Sequence, residues 1–263
     1  MCLALIALAA HPRLPLVIAA NRDEFHERAA LPAYWWPSEM LAGMDRVAGG
    51  TWFGVDHAGR WALVTNYREG VPRDPNAPSR GELVTRALSD SASPLVTTAA
   101  IVADGDRYHG FNLLIGEGAR AAYASNRASG AIALQPGVHG LSNHLLETPW
   151  PKVVRSKARL TEWLGTGSED LAPLFELLAD RAQADATALP STGVAPEWER
   201  LLSSPFIVDA RYGTRCSTVL AISLEGNARF IERSFDREGR VTGEVGYEFG
   251  LEPRRAGAHS ATA

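Results

Sequence analysis

MCLALIALAAHPRLPLVIAANRDEF, residues 1–25, is the stretch of this sequence that best predicts the fold. Two apolar runs, residues 3–10 and 14–20, lie on either side of His11-Pro12-Arg13. Short apolar runs around a proline-containing turn are typical of a β-hairpin of buried strands. Neither run is long enough to cross a bilayer. The sequence therefore predicts that the chain begins with two antiparallel core strands, and we expect no integral membrane association.

The cysteine at position 2 allows three interpretations: a core residue, part of a secretion signal, or a nucleophile at the mature amino terminus. Free cysteine is among the most buried residue types, so a core position is a serious alternative. A secretion signal normally carries Lys or Arg before its apolar run, and none precedes this one. If Met1 is removed, Cys2 carries both a thiol and an α-amine with a reference pKa of about 7.7–8.0. The amine can then act as the base for the thiol.

A polar segment, Asn21-Arg22-Asp23-Glu24, follows the second apolar run. Hairpin pairing brings this segment opposite the beginning of the chain. Asp23 can then hold the α-ammonium group, while Arg22 can lower the thiol pKa or bind a substrate carboxylate. A solvated Arg–Asp pair of little energetic value is the alternative. Because neighbouring strand residues face opposite sides, Arg22 and Asp23 can both face Cys2 only across a bulge, and the orientation of Arg22 stays open.

The overall composition is that of an ordinary globular protein, with 46% hydrophobic and 21% charged residues among 263. The net charge of −4 and the absence of a Lys/Arg cluster argue against a nucleic-acid partner. Cys2 and Cys216 are too few for a disulfide framework and lack Cys-x-x-Cys spacing, which favours a reducing cytoplasmic location. The seven histidines show no metal-site spacing, so we expect no metal.

Strand patterns dominate both ends of the chain and helical patterns the middle, which predicts an α+β domain of antiparallel sheets with helices packed outside them. Ser79 and Glu82 have the spacing of a helix capping box. We predict a single domain over residues 1–252 and a flexible C-terminal tail over 253–263. Strands are predicted at 51–55, 61–66, 112–115, 121–125, 217–223, 228–234 and 240–247, and helices after 79, after 148 and over 171–178.

The Met-Cys strand that returns into Asn-Arg-Asp-Glu resembles the NRDE family, also called the transport and Golgi organisation 2 family. The resemblance covers nearly the whole chain. The further matching blocks are GGTWFGV (49–55), VTNYR (64–68), SRGELV (79–84), GLSNH (140–144), TPWPKV (148–153) and GTRCSTV (213–219).

This resemblance implies an N-terminal-nucleophile hydrolase fold, a four-layer αββα sandwich of two antiparallel sheets. It is similar to the cysteine branch that contains bile-salt hydrolase, penicillin V acylase and acid ceramidase. The implied activity is an amidohydrolase or acyltransferase that acts on an amide or thioester of unknown identity, without a metal or organic cofactor. The family name also implies an alternative, a non-catalytic protein that binds or moves haem or an acyl lipid.

The residues expected at the site follow from these motifs. In the related hydrolases two Asn-bearing segments build the oxyanion hole, and amide N–H groups are the donors that acyl transfer needs. The spacing of Arg and Asp differs, however: the related enzymes separate them by two residues, whereas Arg22 and Asp23 are adjacent. The catalytic candidates are Cys2, Asp23, Asn66, Asn143, Arg22 and Arg215, and the expected substrate contacts are Asn21, Trp35, Trp36, Tyr67 and His144.

Overall fold

The computed structural model of the protein describes residues 2–70, 74 and 76–252, with Cys2 described by its backbone alone. The predicted tail, 253–263, lies outside these residues. The strands are β1 Cys2–Leu8, β2 Leu16–Phe25, β3 Ala30–Trp35, β4 Met40–Asp45, β5 Phe53–Asp56, β6 Arg60–Asn66, β7 Phe111–Glu117, β8 Arg120–Ser125, β9 Ala131–Ala133, β10 Gly137–Leu141, β11 Tyr212–Ile222, β12 Asn227–Phe235 and β13 Val241–Gly250. The helices are α1 Gly81–Ser89, α2 Pro94–Ala103, α3 Pro151–Gly165, α4 Ala172–Leu178 and α5 Pro196–Leu201.

Two antiparallel sheets form the centre of the protein. The first has the strand order β10-β1-β2-β11-β12-β13, so the amino-terminal hairpin lies inside it. The second runs β3 to β9 in chain order, a meander in which each strand pairs with the next. The predicted strand pairs β5–β6 and β7–β8 and the carboxy-terminal meander are confirmed.

Alternation along the strands separates three apolar layers. On β1, Ala4 and Ile6 pack against the second sheet, whereas Leu3 and Leu5 pack under α3 and α4. On the far side of the second sheet, α1 and α2 cover β6 and β7. The order is therefore helices, sheet, sheet, helices, and the predicted four-layer α+β architecture is confirmed.

The hairpin register fixes the surroundings of position 2. Cys2 pairs with Arg22, and Leu3 pairs with Asn21, so the polar segment does return beside the start of the chain. On its other side Arg22 pairs with Cys216 of β11, where the register shifts between Thr214 and Cys216. This shift places an extra residue, Arg215, in β11 beside the Arg-Asp pair.

Some details of the sequence interpretation were wrong. The first residue of α1 is Gly81, and Ser79 Oγ accepts a 3.3 Å hydrogen bond from the N–H of Gly81 and not from that of Glu82, so Ser79 and Glu82 do not form a capping box. Glu82 instead accepts a hydrogen bond from the Tyr108 hydroxyl. The hairpin β3–β4 and the helices α2 and α5 were not foreseen, because their apolar spacing is irregular. Among the described residues, no helix is both long and apolar enough for a membrane span; the longest, α3, has 15 residues.

Candidate active site

A cleft of about 650 Å³ opens beside the end of β2, where the polar segment ends the hairpin. Arg22, Asp23 and Glu24 line it from β2, and Asn66 lines it from the end of β6. The cleft therefore receives side chains from both sheets. Most of its lining is polar or charged; the remaining residues are Arg28, Asp45, Ala48, Thr51, Trp52, Val64, Asp74, Ala77, Pro78, Ser79, Arg80, Gly81, Glu82 and His109.

Arg22 faces the second sheet, in the same alternating series as Ile18 and Ala20. Its guanidinium lies 4.3 Å from the ring centroid of Trp52. Its nearest carboxylate is Asp45, with Nη2 and Oδ2 3.6 Å apart. Arg22 is 6% exposed, so a full positive charge lies almost buried directly across from position 2.

Asp23 lies on the opposite face of β2 and is also buried. Its Oδ1 accepts a 2.7 Å hydrogen bond from the Thr214 hydroxyl, and its backbone carbonyl accepts one of 3.0 Å from the Tyr212 hydroxyl. Burial raises the pKa of Asp23, and positive charges that include Lys152 act in the opposite direction. As the alternation predicted, Arg22 and Asp23 diverge, but β2 fixes both beside the start of β1.

The two candidate oxyanion residues, Asn66 and Asn143, are brought together. Asn143 follows β10 and is fully buried, and its Nδ2 donates a 2.9 Å hydrogen bond to the backbone carbonyl of Asn66. The carbonyl of Asn143 in turn accepts a 2.6 Å hydrogen bond from the backbone N–H of Arg68. Asn143 thus holds the chain at Asn66, while Asn66 is the residue of the two that lines the cleft.

Tyr67 and His144 contact one another. The Tyr67 hydroxyl lies 2.8 Å from Nε2 of His144, and Nδ1 of His144 lies 2.9 Å from the Thr148 hydroxyl. Burial lowers the pKa of His144. Neither residue is among the described residues that line the cleft, so the structure places this pair next to the asparagines and outside the cleft itself.

Arg215 and Cys216 lie at the irregular point of β11. Arg215 donates a 2.9 Å hydrogen bond to the carbonyl of His26, and burial, followed by the charge of Arg22, lowers its pKa. Cys216 is a free, buried thiol whose pKa is raised well above its usual value, first by burial and next by Glu232. Cys216 is therefore a poor nucleophile, since the thiolate is the reactive form.

Three expected substrate contacts lie elsewhere. Asn21 is buried under the helices, where its Nδ2 donates 2.9 Å hydrogen bonds to the carbonyls of Leu178 and Pro205. Trp35 stacks on His57 with ring centroids 3.8 Å apart, and Trp36 donates a 3.0 Å hydrogen bond to the carbonyl of Ala42. The described lining of the cleft includes none of the three.

Several residues of the site were missed. Trp52 and Arg68 stand inside the motif blocks, but no local pattern indicates their contacts. Arg68 forms a buried ion pair with Glu199, its guanidinium lies 4.5 Å from the Trp150 ring centroid, and its backbone holds Asn143. Asp45 precedes a glycine-containing turn, and its ion pairs connect the end of β4 to Arg22 of β2 and to Arg28 in the turn after β2. Membership in a motif block could have marked Trp52 and Arg68 as candidate site residues, whereas Asp45 lies in no such block.

Two solved structures are similar to this one at low sequence identity. The Caenorhabditis elegans N-acylethanolamine-hydrolyzing acid amidase ortholog has a TM-score of 0.49 at 12% identity, over 83% of this chain and 92% of its own. A C2A mutant of the conjugated bile acid hydrolase from Clostridium perfringens has a TM-score of 0.48 at 8% identity, over 96% of this chain and 98% of its own. Similarity at this level supports no inference about activity.

Sequence relatives are much closer. A transport and Golgi organization protein 2 homolog of Bos taurus is 39% identical over 241 residues, 83% of this chain and 86% of its own. The Homo sapiens homolog is 34% identical, over 90% of this chain and 93% of its own, and the Drosophila melanogaster protein is 30% identical, over 89% and 92%. The family model described as Transport and Golgi organisation 2 matches residues 1–237. The chain therefore belongs to the Transport and Golgi organisation 2 family.

Proposed function

We propose that this protein is a cysteine hydrolase or acyltransferase that acts on an amide or thioester through Cys2, after removal of Met1. The observation that carries the proposal is the pairing of Cys2 with Arg22 beside a cleft that Asn66 also lines. Directly opposed residues of antiparallel strands have Cβ atoms about 5 Å apart. A nucleophile at position 2 would therefore have a buried cation as its immediate neighbour, at a site large enough for a small substrate.

The proposed reaction needs a base, an anion-stabilising donor and an oriented amine. The α-amine of Cys2 takes the thiol proton, and the thiolate attacks the carbonyl carbon to form a C–S bond. As the substrate C–N or C–S bond breaks, the ammonium returns the proton to the leaving group. Water, or an acceptor nucleophile, then cleaves the acyl-thioester and restores the thiol.

Each neighbouring residue has a part in this scheme. Arg22 lowers the thiol pKa because a nearby positive charge favours the thiolate. Asp23, held by Thr214, holds the α-ammonium group. The Asn66 side chain makes no hydrogen bond to any described residue, so in the proposal its N–H is the oxyanion donor, and Asn143 positions it. A reactive thiol needs reducing surroundings, so we place the reaction in the cytoplasm.

The test begins with the intact mass of the purified protein, which reports whether Met1 is removed. The protein is then incubated with an activated acyl ester, and the adduct is mapped by mass spectrometry. We expect one acyl group on Cys2 and none in Cys2→Ser. The matched control is Cys216→Ser, which should label like wild type because the Cys216 thiol is buried and has a raised pKa. A retained Met1, or labelling that persists in Cys2→Ser, would refute the proposal.

A further inference from the structure

Arg22 has a buried guanidinium that donates no hydrogen bond within the described part of the chain. Its Nη1 is fully buried and has no hydrogen-bond partner, and none of its other N–H groups donates a hydrogen bond to a described residue. A guanidinium carries five N–H donors. Leaving such a charged group buried without acceptors is costly, and native proteins rarely do so without a functional reason. Because Arg22 lines the cleft, a molecule that enters the cleft can supply the acceptor.

The carboxylate that forms an ion pair with Arg22 in the described part of the chain is bound more closely by another residue. Oδ2 of Asp45 lies 2.6 Å from Nε of Arg28 and 3.6 Å from Nη2 of Arg22. Oδ1 of Asp45 accepts hydrogen bonds from the backbone N–H groups of Val47 and Ala48, at 3.0 and 3.3 Å. Asp45 therefore holds its own turn and Arg28, and its 3.6 Å contact gives Arg22 no hydrogen bond.

Trp52 fixes how a ligand can approach. Its ring centroid lies 4.3 Å from the Arg22 guanidinium carbon, and the contact covers one face of the planar group. A ligand is then left with the edge of the guanidinium, where paired N–H groups match the two oxygens of a carboxylate. The arrangement favours a planar anion with two oxygens over a neutral group.

We propose that Arg22, backed by Trp52, is a carboxylate-binding subsite, and that the substrates are small amides or thioesters that carry a carboxylate close to the scissile carbonyl. This inference rests on the proposed function for its substrate, although the subsite itself requires no turnover. The largely polar lining of the cleft agrees with a small charged substrate rather than a long acyl chain.

The test compares two alkylating reagents of nearly the same shape, iodoacetate and iodoacetamide, which differ in carrying a carboxylate or a neutral amide. Rates of Cys2 alkylation are measured by mass spectrometry and divided by the rates for glutathione. Both reagents attack the same thiolate, so the ratio of the two rates does not depend on the thiol pKa. We expect the iodoacetate-to-iodoacetamide rate ratio to be at least tenfold higher for Cys2 than for glutathione. We also expect the rate of Cys2 alkylation to saturate as the iodoacetate concentration rises.

Variants separate a specific subsite from general electrostatics. Arg22→Gln should return the ratio to the glutathione value. Arg80→Gln, which removes another positive charge from the cleft lining, should leave most of the preference. A ratio equal to that of glutathione in the wild type, or an equal loss in both variants, would overturn the subsite.

A binding measurement keeps the subsite separate from the chemistry. Cys2→Ser protein is titrated calorimetrically with glutarate and with its neutral counterpart, glutaramide. Glutarate binding that disappears in the Cys2→Ser/Arg22→Gln protein supports the subsite even if Cys2 is never acylated, in which case only the hydrolase proposal fails. Equal affinity for both compounds, or no binding of glutarate, would overturn the subsite even if acyl esters label Cys2.

Discussion

Replacing Glu199 by alanine should destabilise the protein strongly, because it leaves the positive charge of Arg68 buried beside the asparagines. The side chains of Arg68 and Glu199 are 3% and 5% exposed, and Nη1 and Oε2 are 2.5 Å apart. Burial lowers the pKa of Arg68, and the charge and hydrogen bond of Glu199 act in the opposite direction. Breaking a buried ion pair by removing one partner typically costs about 3–5 kcal/mol.

A second contribution comes from the loop before α5. Oε1 of Glu199 accepts hydrogen bonds from the backbone N–H and the hydroxyl of Thr192, at 2.7 and 2.6 Å. Thr192 is partly accessible to water, so its donors can be rehydrated when the carboxylate is lost. We therefore expect a total loss of about 3–5 kcal/mol, without a separate addition for these bonds.

The assay is equilibrium urea unfolding of wild type, Glu199→Ala and a surface control, Glu244→Ala. Glu244 pairs with Arg233 at 2.5 Å, but these side chains are 48% and 33% exposed. Exposed pairs contribute about 0–1 kcal/mol, so the control should unfold almost like wild type. The double variant Arg68→Met/Glu199→Leu should regain much of the lost stability, because it removes both buried charges together. A cost below about 1 kcal/mol for Glu199→Ala would refute the reasoning.

Two further predictions concern packing and pH. A Cβ at Gly116 would lie 2.3 Å from Cε2 of the buried Trp61, so Gly116→Ala should lower the free energy of unfolding in urea by about 1–3 kcal/mol or more. The control Gly243→Ala should cost far less, because a Cβ at Gly243 meets open space. Equal costs for the two variants would contradict this prediction. Burial raises the pKa of Glu232, so the stabilising contribution of its protonated form is lost as pH rises through the folded-state pKa. The stability of Glu232→Gln relative to wild type should therefore increase from about pH 4 to about pH 8, and a difference that stays constant or decreases would disprove the assignment.

Much of the fold could be predicted because its signals are local. Apolar runs around His11-Pro12-Arg13 were enough to indicate the hairpin, and its register followed from the turn. The divergence of Arg22 and Asp23 followed from strand alternation alone. The four-layer order was implied by the family resemblance. Its physical basis is that alternate residues of β1 pack on opposite faces of the sheet, with Ala4 and Ile6 against the second sheet and Leu3 and Leu5 under the helices.

The surroundings of the site could not be predicted, because they depend on contacts between elements far apart in the chain. Asp45 and Trp52 approach Arg22 from the second sheet, and Glu199 reaches Arg68 from 131 residues away. Local patterns carry no information about such pairs, so the sequence left the orientation of Arg22 open. The sequence by itself determined that the second hairpin strand returns the polar segment Asn21-Arg22-Asp23-Glu24 beside residue 2. Only the tertiary structure decided that the Arg22 guanidinium is buried and donates no hydrogen bond to a described residue, because that depends on how the two sheets pack.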